Sequence, residues 1–138
     1  MVLDASAIIA MLGDETEGDR FADALEAAAM RLVSPIAVWE AVAGLARAYP
    51  LSVPEARAKV ADFLATGDVT TLAVGAAELE LALDACDQFG KGRHPARLNL
   101  GDCFTYAAAK ANNAALLHKD EGFWLTDLRQ ALDRTDER

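Results

Sequence analysis

The sequence predicts an α/β fold built around a mainly parallel sheet. Short strand-like runs alternate with longer segments of helical periodicity: Met1-Val-Leu, Arg31-Leu-Val, Asp68 to Leu72 and Ala114 to Leu117 are each separated by helical stretches. Strands separated by helices pair in parallel through right-handed crossovers. The helical stretches also carry their own start and stop signals. Finally, no Ser- or Pro-rich linker, internal repeat or low-complexity segment divides the chain, so residues 1–138 read as one domain, long enough to bury its own core.

In chain order, Met1-Val-Leu reads as a short buried strand ending at Asp4, and Ala5 to Leu12 as a short helix stopped by Gly13. Glu15 to Ala29 is amphipathic, with Phe21, Leu25 and Ala28 at helical spacing. After the strand Arg31-Leu-Val, Ser34-Pro35 opens a helix, with Ser as N-cap and Pro in the first position, and Pro50 ends it after Tyr49. Ser52 and Glu55 have capping-box spacing for a helix that ends at Gly67. Asp68 to Leu72 is the third strand, and Ala76 to Phe89 a helix stopped by Gly90. Asn99 caps a helix from Leu100 to about Asn112, Ala114 to Leu117 is the fourth strand, and the charged tail from Asp133 reads as frayed.

Composition narrows the function classes. At 53% hydrophobic and 25% charged the chain is globular. A net charge of −9 argues against loose, charge-driven binding to nucleic acid, which needs a basic face, but leaves room for a nucleic-acid enzyme whose metal supplies the positive charge. Two cysteines, Cys86 and Cys103, without a CxxC pair, point to a reducing cytoplasm rather than a disulfide framework. Asp4 interrupts the N-terminus too early for a signal peptide, and Ala5 to Leu12 is too short to span a bilayer, so no membrane association is expected.

Four acids fall where this topology brings side chains together, outside the carboxyl ends of the strands. Asp4 follows the first strand, and a cap of the next helix is its plain alternative role. Glu40 lies on a helix whose other residues are nearly all apolar or small, including Ile36, Val38, Trp39, Val42 and Leu45. Most sides of that helix therefore read as buried, and a buried carboxylate is costly unless paired or metal-bound. Arg47, seven residues on, is too distant for a simple intrahelical pair. Asp102 sits in the first turn of its helix, where the macrodipole also favours an acid. Asp120 follows the last strand, with Glu121 a close competitor, Asp127 a weaker one, and a turn residue the plain reading.

Carboxylates without a His or Cys cluster suit Mg²⁺, or Mn²⁺ in its place, better than zinc. Such a cation makes a nucleophile from water and stabilises the leaving oxygen of a phosphodiester. Asp4, Glu40, Asp102 and Asp120 are the expected metal-holding and catalytic residues, with Asp120 or Glu40 also orienting the water. Ser6 is a candidate to cap its helix or to hold a water at the site. The loop Phe89 to Arg97 carries Lys91, Arg93, His94 and Arg97 without an acid, and Lys91, Arg93 and Arg97 are the expected phosphate contacts.

Three segments carry a resemblance: Val2-Leu-Asp-Ala-Ser-Ala, Ser34-Pro-Ile-Ala-Val-Trp-Glu40, and Gly92-Arg-His-Pro-Ala-Arg-Leu-Asn-Leu-Gly-Asp102-Cys. Together they resemble the PIN-domain ribonucleases and, more narrowly, the VapC toxins of bacterial toxin–antitoxin pairs. The similarity runs from Met1 to about Leu128. Asp4, Glu40 and Asp102 match that family's acids directly. The fourth position departs from it, because Gly122 stands before Phe123 where an Asp is common, while Thr126-Asp127 matches the usual Thr-Asp. The resemblance implies a three-layer α/β/α fold with a sheet of four to five strands and Mg²⁺-dependent endoribonuclease activity that inhibits translation. It also implies a homodimer and neutralisation by a VapB-type antitoxin, which places a basic side chain among the acids.

Other readings fit less well. A dehalogenase-like phosphatase wants Asp-x-Asp after its first strand, and Asp4-Ala-Ser6 lacks it. A phosphotransfer receiver wants adjacent early acids. A catalytically idle module of the same fold is the main alternative. A metal-independent ribonuclease using His94 and His118 would be distinguished by its resistance to EDTA.

Overall fold

The computed structural model describes residues 1–134. The strands are β1 (Val2–Leu3), β2 (Leu32–Val33), β3 (Thr70–Thr71) and β4 (Leu116–Leu117). The helices are α1 (Ala5–Leu12), α2 (Gly18–Ala27), α3 (Pro35–Ala48), α4 (Val53–Thr66), α5 (Ala76–Phe89) and α6 (Leu100–Ala111), with a 3₁₀ turn at Glu121–Leu125. All four strands are parallel, in the order β3-β2-β1-β4. Beyond β4, a further parallel bridge joins Leu116 to Gln130, so the edge of β4 is partly covered without a regular fifth strand.

The register explains the three layers. Val2 pairs with Leu32 and with Leu116, and Leu3 with Val33 and with Leu117. Side chains alternate across a strand, so these two rows face opposite sides of the sheet. The Val2 row packs against α5 and α6 through Ala82, Ala85, Tyr106 and Ala107. Leu3 and Val33 pack against α1, α3 and α4 through Ile8, Ala41, Leu45 and Val60, and Leu117 meets Ala7, Ala10 and Phe21. Coverage on both faces is what makes a parallel strand read as a continuous apolar run. Phe123, fully buried in the α5–α6 layer, anchors the segment after β4, and its truncation to Ala should cost about 3–5 kcal/mol.

The capping signals act as expected. Ser34 Oγ accepts from Ile36 N with Pro35 in the first turn, Ser52 and Glu55 form a capping box, and so do Asn99 and Asp102. Helix α2 starts later than its periodicity predicts. Glu15 and Glu17 precede it, and both reach across to Lys119 Nζ, at 3.2 and 3.3 Å. The third strand is shorter than predicted and exposed, as suits an edge. The expectation that most of α3 is buried needs correction: Ala37, Ala41, Gly44 and Leu45 are buried, but Trp39 is 71% exposed. Of the charged tail, residues 135–138 lie outside the described residues, whereas Asp133 O accepts from Arg20 and Arg134 pairs with Glu121. Among the described residues no helix is long and apolar enough to cross a membrane.

Candidate metal centre

The carboxyl ends of the strands deliver the acids. Asp4 directly follows β1 and caps α1: its Oδ2 accepts from Ser6 N at 3.1 Å and from Ser6 Oγ at 2.5 Å. Ser6 Oγ in turn accepts from Lys119 N at 2.9 Å, so one hydroxyl ties the segment after β4 to the segment after β1. That network holds an acid only 2% exposed. Asp102 accepts from Asn99 N through its own Oδ2 at 3.0 Å. Capping and site membership, alternatives at the level of sequence, are therefore performed by the same residues. Each cap engages Oδ2 and leaves Oδ1 without a protein donor among the described residues.

Asp4, Asp102 and Asp120 each bring a carboxylate oxygen within 4.8 Å of the others. Glu40 stands beside this triad rather than in it. An ideal Cβ on Gly101 would overlap its carboxylate, so glycine there leaves room for the Glu40 side chain where it lies. Gly101 is a site residue that local sequence pattern does not expose, because the approach joins segments far apart in the chain. Of the competitors for the fourth place, Glu121 is exposed and pairs with Arg134. Asp127 is held by Tyr106 Oη at 2.7 Å and Lys110 Nζ at 2.8 Å. The geometry brings in Asp120 and leaves both of these out.

The electrostatics are those of crowded like charges. Burial, then Asp4 and Asp102, push Glu40 up to about 7. Burial raises Asp102 to about 6 with a contribution from Asp4, against the lowering effect of the Asn99 backbone. Asp120 is raised by burial first, and then by Asp4, Asp102 and Glu40. No Lys or Arg forms an ion pair with any of the four among the described residues. An all-oxygen donor set with this much unneutralised charge fits a hard divalent cation.

The basic loop is built by a bridge between Gly90 and Leu98, with Arg97 in the left-handed region at φ 55°. It packs onto the 3₁₀ turn, where an ideal Cβ on Gly122 would overlap Ala96 O. The glycine that displaces the usual Asp thus seats the loop beside the turn that follows Asp120. Lys91, Arg93 and Arg97 are exposed and form no ion pair among the described residues. His94 Nδ1 accepts from Ala96 N at 3.0 Å, which gives it a place in the loop's own structure. His118 is buried between Phe123 and Trp124, its Nε2 is engaged with Gln130, and burial lowers its pKa.

A three-layer parallel α/β domain with carboxylates clustered outside the ends of its strands is an arrangement that could hold a divalent cation. The model of the PIN domain matches residues 1–127. A VapC ribonuclease of Mycobacterium bovis and ribonuclease VapC30 of Mycobacterium tuberculosis are each 39% identical over 128 residues, covering 93% of this chain and 95% of theirs. A VapC ribonuclease of Rhizobium meliloti is 36% identical, covering 91% of this chain and 97% of its own. The chain belongs to the PIN domain family and, within it, to the VapC group.

Proposed function

We propose that this chain is the Mg²⁺-dependent endoribonuclease toxin of a toxin–antitoxin pair, with Mn²⁺ able to replace Mg²⁺. The observation that carries the reading is the convergence of Asp4, Asp102 and Asp120, with Glu40 beside them, none of them in an ion pair among the described residues. The names of the relatives support RNA as the substrate. A cation held by these four acids supplies Lewis acidity for attack of water on a phosphodiester and for departure of the leaving oxygen. Ser6 keeps Asp4 oriented, Asn99 does the same for Asp102, and the role proposed for Glu40, beside them, is to orient the attacking water. Lys91, Arg93 and Arg97 contact phosphates on either side of the cut. Cleavage inhibits translation in the cytoplasm. The chain works as a homodimer, and a VapB-type antitoxin silences it by inserting a basic side chain that pairs with the carboxylates.

The test is cleavage of a mixed cellular RNA pool by purified, antitoxin-free protein in Mg²⁺ or Mn²⁺, beside EDTA and Asp4→Asn controls. Discrete fragments that disappear in both controls are expected. Absence of cleavage by folded, metal-loaded protein would instead make the chain a catalytically idle module, and cleavage that survives EDTA would return the chemistry to His94 and His118.

A further inference from the structure

Two large apolar side chains stand uncovered at the rim of the acidic site. Trp39 directly precedes Glu40, Leu100 directly precedes Gly101, and each is 71% exposed. Gly101 lies against the Glu40 carboxylate, and Trp39 and Leu100 are the chain neighbours of those two residues. One comes from α3 and the other from the start of α6, on the two sides of one seam. Val53 and Leu83 are also exposed, but on helices that carry no acid of the cluster.

Charge decides what these two side chains can offer an RNA strand. A bound cation answers the scissile phosphate, but the rest of the strand meets a protein of net charge −9, with Lys91, Arg93 and Arg97 together in one exposed loop. A nucleobase presents a neutral π-face. Stacking on it adds affinity that charge repulsion does not oppose and that tolerates any base. In a duplex both faces of a base are already covered, whereas an unpaired base can splay onto an aromatic side chain.

We propose that Trp39, with Leu100 across the seam, is the platform for an unpaired nucleobase adjoining the scissile phosphate. This inference rests on the ribonuclease reading above. The chain has two tryptophans, Trp39 and Trp124, so Trp124→Phe makes Trp39 the sole indole emitter. In that background with Asp4→Asn to prevent cleavage, the full chain is titrated with three probes: a mixed-sequence single-stranded oligoribonucleotide, the same oligonucleotide in duplex form, and an abasic ribose-phosphate oligomer. Quenching of Trp39 by the single strand alone is expected. In the otherwise unaltered protein, Trp39→Ala should raise KM for single-stranded RNA about tenfold, within the range of one lost base stack, and Trp39→Phe should recover most of it.

Equal quenching by the abasic oligomer, or an unchanged KM in Trp39→Ala, would overturn the platform while leaving the nuclease reading intact. If Trp39→Ala dissociates a dimer without changing oligonucleotide affinity, Trp39 belongs to a contact between copies and the platform is again overturned. Absence of metal-dependent cleavage by the unaltered protein would remove the ribonuclease reading, and the platform with it.

Discussion

Asp120 and Asp127 flank the same 3₁₀ turn, seven residues apart, and live in opposite surroundings. Asp127 receives hydrogen bonds from Lys110 and Tyr106, and those donors hold its carboxyl below the usual range despite some desolvation. Asp120, exposed at the surface, faces Asp4, Asp102 and Glu40, has no ion-pair partner among the described residues, and is pushed up. Asp127 is met by protein donors, whereas Asp120 is met by other acids. The contrast separates two roles that residue type alone cannot, and it can be broken by experiment.

The largest effect should come from the crowded side. Asp4→Asn or Asp102→Asn should lower RNA cleavage by more than about a hundredfold, beyond the 10–100-fold typical of outer-shell partners of a metal. Asn still caps a helix, so the fold should survive with a melting temperature close to that of the parent. Unfolding by either change would make the acid structural. Next, Asp120→Ala should reduce cleavage by about 10-fold or more, while Glu121→Ala, which removes only an exposed pair with Arg134, should change it by less than about twofold. The reverse order would place Glu121 at the site and dissolve the contrast across the turn.

Much of this arrangement is legible in the sequence, because it is local. Ser34-Pro35, the Ser52–Glu55 pair and the Asn99–Asp102 pair announce helix starts through bonds made within three residues, and the structure contains those bonds. Asp4 and Asp102 are visible as acids at strand and helix junctions. What stays hidden is non-local. Gly101 and Gly122 look like ordinary glycines until α3 and the basic loop are brought against them. Trp39 reads as core because apolar neighbours surround it in sequence, yet α3 buries only the row through Ala37, Ala41 and Leu45. Glu15 reads as the start of α2 because its partner Lys119 is a hundred residues away in a later element.

The basic loop gives the next test. Arg93→Ala together with Arg97→Ala should weaken single-stranded RNA binding and reduce the salt slope by about 1.4, at about 0.7 per lost phosphate contact. An unchanged slope in fluorescence anisotropy would take the loop off the path of the strand. On the paired side of the turn, Asp127→Ala should cost only about 1 kcal/mol in denaturant unfolding, because Lys110 and Asp127 are both partly exposed. Cleavage should stay near the parent rate. A large loss of cleavage with intact stability would mean that Asp127 also serves the site.

The subtlest prediction joins both sides through pH. Asp102, Glu40 and Asp120 have folded values raised above their unfolded ones, so the stability they contribute is present below about pH 4 and lost as pH rises through about 6 to 7. Asp127 has the opposite sign, since its contribution is present above its unfolded value and lost as pH falls through its lowered one. Above about pH 7 the metal-free protein therefore keeps the Asp127 contribution and bears most of the repulsion of the acidic cluster. A divalent cation relieves that repulsion only when the carboxylates are ionised, and ligand binding to the folded state alone raises the melting temperature. Saturating Mg²⁺ should thus raise the melting temperature by a few degrees at about pH 7.5 and by much less at about pH 5. Asp4→Asn should nearly abolish the increment and slightly raise the metal-free melting temperature, because one of the repelling charges is gone while the α1 cap persists. Asp127→Ala should lower the melting temperature with and without Mg²⁺ and leave the increment intact. An increment that is independent of pH, or that survives Asp4→Asn, would mean that the cation binds elsewhere and that the acidic cluster is not its site.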